Sequence, residues 1–246
     1  MIRFWVSINM GARRLAELVR RSPAEPGVRE MFVAAACRAI AAHGPAVSMD
    51  DIARAANSSK PRLYRYFADK DDLYQAIARH MSDDVFARIE PDFNFMLTSP
   101  RAAVRQAIAS FAAAVAENPA IFLFLRDHPR QRAQQQSTTA LSLTMSRDIA
   151  DRITRVVQEV AELTAPAPKG IEVVAHAAVG AALGASDHWI DTAPRAGLDA
   201  ADFTDAVTPL IWGMIASFIE TNGLDIPADE PLFVSLAKLR PKPESS

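Results

Sequence analysis

Apolar residues recur every three or four positions along almost the whole chain, and runs of alternating β-branched residues are missing, so the pattern predicts helices throughout. Phe32, Ala35, Ala36, Ala39 and Ile40 mark a first helix from about Gly27 to His43, ended by Gly44-Pro45. Two short helices separated by a turn follow, from Ser48 to Ala56 and from Lys60 to Tyr66. A longer one, from about Asp69 to Glu90, buries Leu73, Ile77, His80, Met81 and Val85. After a break over 91–100, Val104, Ile108, Phe111 and Val115 predict a helix from Arg101 to about Asn118. Ile121 to Pro129 is a short, very apolar helical segment, and a longer helix over Arg130 to Leu163 turns Leu141, Ile149, Ile153 and Val156 inward. Beyond the Pro-rich loop 164–168, two large helices run from Gly170 to Thr192 and from Asp199 to Thr221. The expected fold is all-α: a three-helix head over 26–70 and a larger helical body over 71–240, sharing the helix that begins near residue 69.

The stretch from Ser48 to Lys70 has the punctuation of a helix-turn-helix. Ser48 and Asp51 stand at capping-box spacing, and Asp50 and Asp51 suit the positive end of a helix. Asn57 falls where the chain must turn, because Asn tolerates the left-handed conformation. Ser58 or Ser59 caps the next helix, and Pro61 lies in its first turn, where a missing N–H costs nothing. Leu63 and Phe67, four apart, face the core and leave Lys60, Arg62, Tyr64 and Arg65 to point outward. A short helix led by Ser, Lys and Arg fits a major groove, with phosphates held by backbone N–H, hydroxyl and ammonium groups. Arg62 is the candidate for a guanine edge.

Charge supports that reading. The net charge of −2 hides a formal +5 over residues 1–81, from 13 Lys and Arg against 8 Asp and Glu, and a formal −7 over the remainder. A basic head on an acidic body suits a protein that offers one face to nucleic acid. The single cysteine, Cys37, excludes an internal disulfide, fits a reducing cytoplasm and lies in an alanine-rich apolar run. Met1 to Met10 is apolar yet too short to span a bilayer, so neither export nor membrane insertion is expected, and Met10 offers a second start. Residues 1–25, with Arg13, Arg14, Arg20 and Arg21, read as a basic, flexible leader. No nucleophile elbow, HExxH, CxxC or glycine-rich phosphate loop is present, so no enzyme, metal or cofactor is expected.

The run DIARAANSSKPRLYRYFADKDDLYQAI resembles the DNA-binding signature of the tetracycline-repressor (TetR) family. Leu63-Tyr64-Arg65-Tyr66-Phe67 and Lys70 match it residue by residue; Asn57 and Ser58 depart from it, standing where the family has glycine and an apolar residue. The resemblance implies that Ser59, Lys60, Pro61, Arg62, Tyr64 and Tyr66 touch DNA and that Lys70 holds a phosphate. Ser48, Ser58 and Arg65 complete the expected DNA-binding set.

It also implies a body that dimerises and binds a small molecule. Gly180 and Gly184, one turn apart and flanked by Ala177, Ala181 and Ala185, let another helix approach closely. With Trp189, Ile211, Ile215 and Phe218 they are the expected homodimer interface, although packing within one chain uses small residues equally well. A dimer reads a palindromic operator, because two reading helices about 34–36 Å apart supply the specificity that one lacks. Phe86, Phe111, Phe122, Phe124, His128, Met145, Ile149 and His176 are the candidates to line an effector cavity, and their apolar bias suggests a hydrophobic or aromatic effector. The expected function is a cytoplasmic repressor released from its operator by that effector; the alternative is a constitutive DNA-binding or protein-docking regulator that senses no ligand.

Overall fold

The computed structural model describes residues 27–89, 97–127, 140–162 and 168–239. Ten helices are found there, and the described residues contain no strand: α1 (Val28–His43), α2 (Met49–Ala55), α3 (Lys60–Leu63), α4 (Lys70–Ile89), α5 (Pro100–Glu117), α6 (Pro119–Asp127), α7 (Ala140–Glu162), α8 (Ile171–Ala196), α9 (Ala200–Thr221) and α10 (Leu232–Leu239). The leader and His128 lie outside the described residues, as does the side chain of Met145.

The head closes around Phe32, Ile40, Ile52, Leu63, Phe67, Leu73 and Tyr74, all nearly inaccessible to solvent. Its turn is built as the residues dictate. Ser48 caps α2 in a reciprocal box with Asp51, and Asn57 takes φ +49°. Ser58 N–H then donates to Ala53 O (2.9 Å) and Asn57 N–H to Arg54 O (3.0 Å), a complete Schellman closure. The third helix is shorter than its sequence predicts. Regular α geometry ends at Leu63, and residues 64–66 tighten into bonds of three-residue span, Arg65 N–H to Arg62 O and Tyr66 N–H to Leu63 O.

Helix α4 belongs to head and body alike. Its twenty residues span about 30 Å. Leu73, Tyr74 and Ile77 complete the head, and Val85 and Phe86 lie in the same contiguous core as Phe111, Phe122 and Ile149 of the body. His80, expected in the buried stripe of this helix, is exposed. Within the body α4 packs on α5 and α7, α7 on α8, and α9 on both α5 and α8. Ion pairs tie the layers at their edges: Arg88 of α4 forks onto Glu117 of α5 (2.8 and 2.8 Å), and Arg126 of α6 reaches Asp191 of α8 (2.8 Å). Helix α6 packs on α1, and its Phe124 lies against Tyr74 (5.6 Å between ring centres).

Helices α8 and α10 depart from the sequence reading, whereas α9 has the expected extent. Helix α8 runs on to Ala196, where Gly197 at φ +66° ends it. Helix α9 continues through Pro209, whose missing N–H leaves only the exposed Asp205 carbonyl without its helical donor. Helix α10 was not anticipated. Its segment is anchored to the start of α5 by two backbone bonds, Leu232 N–H to Thr98 O (3.2 Å) and Arg101 N–H to Ala228 O (3.1 Å).

Candidate nucleic-acid interface

On the head, Ser59, Lys60, Pro61, Arg62, Tyr64 and Arg65 are all exposed and belong to one short segment. Ser59 takes the N-cap position of α3 without spending its hydroxyl on a cap. Ser48 is exposed at the start of α2, and Lys70, partly exposed, opens α4. Tyr66 is half-buried with its ring on Phe32 (5.8 Å). The arrangement offers hydroxyl, ammonium and guanidinium donors from a protruding turn, the groups that phosphates and guanine edges accept from.

Ser58 requires a correction. Its Oγ is buried and finds no hydrogen-bond partner among the described residues, because the Schellman closure turns this position inward. It shapes the turn and cannot present its hydroxyl to DNA in this geometry.

Two features of the surface went unnoticed in the sequence. Arg29 of α1 donates to Tyr66 O (2.5 Å) and to Asp72 (2.5 Å), and its guanidinium lies 4.3 Å from the centre of the Phe67 ring. One side chain thus pins the end of the α3 segment to the start of α4. The hydrogen bond from Arg29 lowers the Asp72 pKa below the ordinary carboxylate range. Partners 37 and 43 residues away leave no local signal. Across the rim of the head, Lys60 Nζ meets Asp50 Oδ2 at 2.7 Å, and this bond raises the lysine pKa.

The cap itself is pH-sensitive. Hydrogen bonds from the Ser48 hydroxyl, the Ser48 N–H and Arg54 pull Asp51 down to about 2. A depressed carboxyl stabilises the fold above its unfolded pKa of about 4, and that contribution is lost as pH falls toward the folded value. Thermal unfolding of Asp51→Asn should therefore lie below wild type at pH 6, with the gap closing as pH is lowered from about 4 towards about 2; a gap independent of pH would place the loss elsewhere. Cys37 is inert by comparison, because burial pushes its thiol up to about 11 and leaves almost no thiolate at neutral pH.

In the body, Phe86, Phe111, Phe122, Phe124 and Ile149 do come together in one core, with Phe111 edge-on to Phe122 (5.9 Å, 82°). His176 does not join them. It is half-exposed, its Nδ1 2.7 Å from Glu172 O and its Nε2 3.5 Å from Asp151, so the ring is held between helix and solvent. Trp189 and Ile211 also differ from expectation. Both are buried within the chain, Trp189 lying on Phe203 (4.7 Å) and donating to Leu198 O (3.2 Å), and neither is open to a partner. Ala177, Gly180, Ala181 and Gly184 are exposed, and Ile215 and Phe218 are half-buried.

Comparison with known proteins agrees with this architecture. Residues 32–77 match the family model described as bacterial regulatory proteins, tetR family, and residues 96–225 match the one described as tetracyclin repressor-like, C-terminal domain. Uncharacterised HTH-type transcriptional regulators from two strains of Mycobacterium tuberculosis are each 29% identical over 225 residues, covering 89% of this chain and 85% of theirs. A tetR-family regulator from Streptomyces coelicolor has the same fold, with TM-score 0.53 at 22% identity over 87% of this chain and 90% of its own. So has FadR of Bacillus halodurans, described as a fatty acid degradation regulator, with TM-score 0.51 at 16% identity over 77% and 97%. With head and body both matched, the chain belongs to the TetR family, and it is a DNA-binding transcriptional regulator, not an enzyme.

Proposed function

We propose that this regulator is a repressor that binds a palindromic operator as a homodimer and is released by a small apolar effector. The observation that carries the reading is α4. One rigid helix begins at the DNA-facing Lys70 and ends in the body's core beside Phe86, so a rearrangement of that core moves the head. Arg152 of α7 reinforces the connection, bonding Asp83 (2.9 Å) and lying over the Phe86 ring (4.1 Å). An apolar effector entering among Phe111, Phe122, Phe124 and Ile149 would have to part a packed core. Binding would then favour a state with the heads at another separation, and by linkage the operator-bound form must bind effector more weakly.

Support for the dimer comes from the outer faces of α8 and α9. Val173 is 71% exposed and Leu210 69%, and each continues along its helix into exposed small residues, Ala177, Gly180, Ala181 and Gly184 on α8 and Gly213 and Ser217 on α9. A Cβ added at Gly180, Gly184 or Gly213 meets nothing within 4 Å. Such a face suits close approach of the same two helices from a second copy, an isologous contact. Among the described residues no single helix is long and apolar enough to cross a membrane, and the site of action we assign is the cytoplasm, where the operator is.

Fluorescence anisotropy with the promoter DNA beside the protein's own gene, at two salt concentrations, tests the DNA half. Arg62→Ala should weaken operator binding by about 1–3 kcal/mol and relax preference at one base position. Lys70→Ala should weaken all sequences alike and flatten the salt slope by about one phosphate. Equal loss on operator and scrambled DNA for Arg62→Ala would remove its base-reading role. Screening apolar compounds for release of the same labelled operator tests the effector, and the absence of any releasing compound would favour a constitutive regulator.

A further inference from the structure

We propose that Asp50 is a specificity determinant of the DNA interface: its carboxylate and the Lys60 ammonium, side by side on the rim of the head, read one base pair as a donor–acceptor unit and keep Lys60 neutralised on any other DNA. The proposal rests on the reading that the α3 segment enters the major groove.

The pair joins the first turn of α2 to the first residue of α3, at 2.7 Å, with side chains 56% and 46% exposed. An ion pair so exposed contributes little to stability, and the helix-end position that suits Asp50 does not itself call for a partner on α3. It is also selective. Among the described residues, Arg62 and Arg65 on the same segment carry no ion pair, whereas Lys60 does. A carboxylate on a surface that faces phosphates repels them, and it cancels the charge that Lys60 would bring to counterion release.

The chemistry on the base side is complementary. One Lys60 donor is committed to Asp50 Oδ2, which leaves two ammonium donors and the Oδ1 acceptor. In the major groove a G·C pair sets the O6 acceptor of guanine beside the N4 amino donor of cytosine. Lys60 can donate to the first while Asp50 accepts from the second, and the two keep their own bond. The phosphate backbone offers acceptors only. There Asp50 finds no donor, so sequence-independent binding is penalised and binding at the correct pair is not.

The test uses the full chain. Sites are selected from random DNA by wild type and separately by Asp50→Asn, and both proteins are titrated by anisotropy against the wild-type site and a scrambled one across a salt series. Asp50→Asn should bind scrambled DNA about 3–10-fold more tightly, with a salt slope steeper by about 0.9. It should bind the selected site more weakly, so that discrimination falls at least about tenfold, and its own selected sites should lose one G·C position. Unchanged discrimination, or an equal change on both DNAs, overturns the role of Asp50 while leaving the DNA-binding reading intact. Failure of wild type to select any site overturns both. Thermal unfolding of Asp50→Asn within about 4 °C of wild type, the range that loss of one helix-end carboxylate allows, separates loss of reading from loss of fold, and Lys60→Met should also lower discrimination without steepening the slope.

Discussion

Replacing Phe67 with alanine should destabilise the protein by about 3–5 kcal/mol and remove operator binding at ordinary temperature. The ring is wholly buried and holds three elements together. It meets Phe32 of α1 edge-on (6.3 Å, 87°), and it carries the guanidinium of Arg29 on its face (4.3 Å). Arg29 in turn fixes the Tyr66 carbonyl and Asp72. Helix α3 has only four residues of regular helix, far too few to persist without tertiary support. Removing the ring therefore opens a cavity and frees the cation that orients the reading segment. Phe67→Leu, which keeps most of the volume, should cost about 1–1.5 kcal/mol and spare most of the affinity. Urea unfolding followed by anisotropy on the folded fraction checks both. A Phe67→Ala protein within about 1 kcal/mol of wild type, binding its operator normally, would show that Arg29 and Phe67 do not set the head's geometry.

Gly184→Leu should convert the proposed homodimer to monomer and lower operator affinity by about 10²–10⁴, the factor lost when two half-site contacts are no longer linked. Within one chain the substitution should be tolerated. The added Cβ meets nothing within 4 Å, and leucine is a better helix former than glycine by nearly 1 kcal/mol. The isolated subunit should thus be at least as stable as before, which separates a blocked contact from a damaged fold. Sedimentation equilibrium reads the mass, and a half-site oligonucleotide should still be bound as weakly as by one wild-type head. A dimer mass unchanged by Gly184→Leu would put the contact on another face.

The readability of this chain followed the range of its interactions. Caps and turns were legible because their causes are local: Ser48 and Asp51 are three residues apart, and Asn57 takes its left-handed conformation from its own chemistry. Leu63 and Phe67 face the core because a helical turn puts them on one side. Arg29 was invisible for the opposite reason, since nothing near it in the chain hints at Tyr66 or Asp72. Helices α8 and α9 were legible as helices but not by face. Both are apolar nearly all round, so periodicity could not tell the side carrying Trp189 and Ile211, which is core, from the side carrying Gly184 and Leu210, which is open. His176 was misplaced by similar reasoning, because an isolated polar group in an apolar run does not announce a neighbour such as Asp151 on α7. The Ser58 hydroxyl was read as a donor because serine suits phosphate, while the closure of the turn had already consumed the outward direction.

Helix α4 has a bearing on how such a protein can be recombined. A cut at residue 70, where head and body part in sequence, would split a core that runs without interruption from Phe32 through Tyr74 and Phe86 to Phe111. A foreign head spliced there would have to fit its first helix against α6 and supply a partner for Asp72 in place of Arg29 across the joint. The workable seam for a chimaera lies beyond Arg88, so that α4 travels with the head it supports. The graft must then rebuild the contacts that α4 makes with the body, among them Tyr74 on Phe124, the fork from Arg88 to Glu117 and the bond from Arg152 to Asp83. New operator preferences would therefore be acquired more readily by substitution on the exposed rim than by exchange of whole heads.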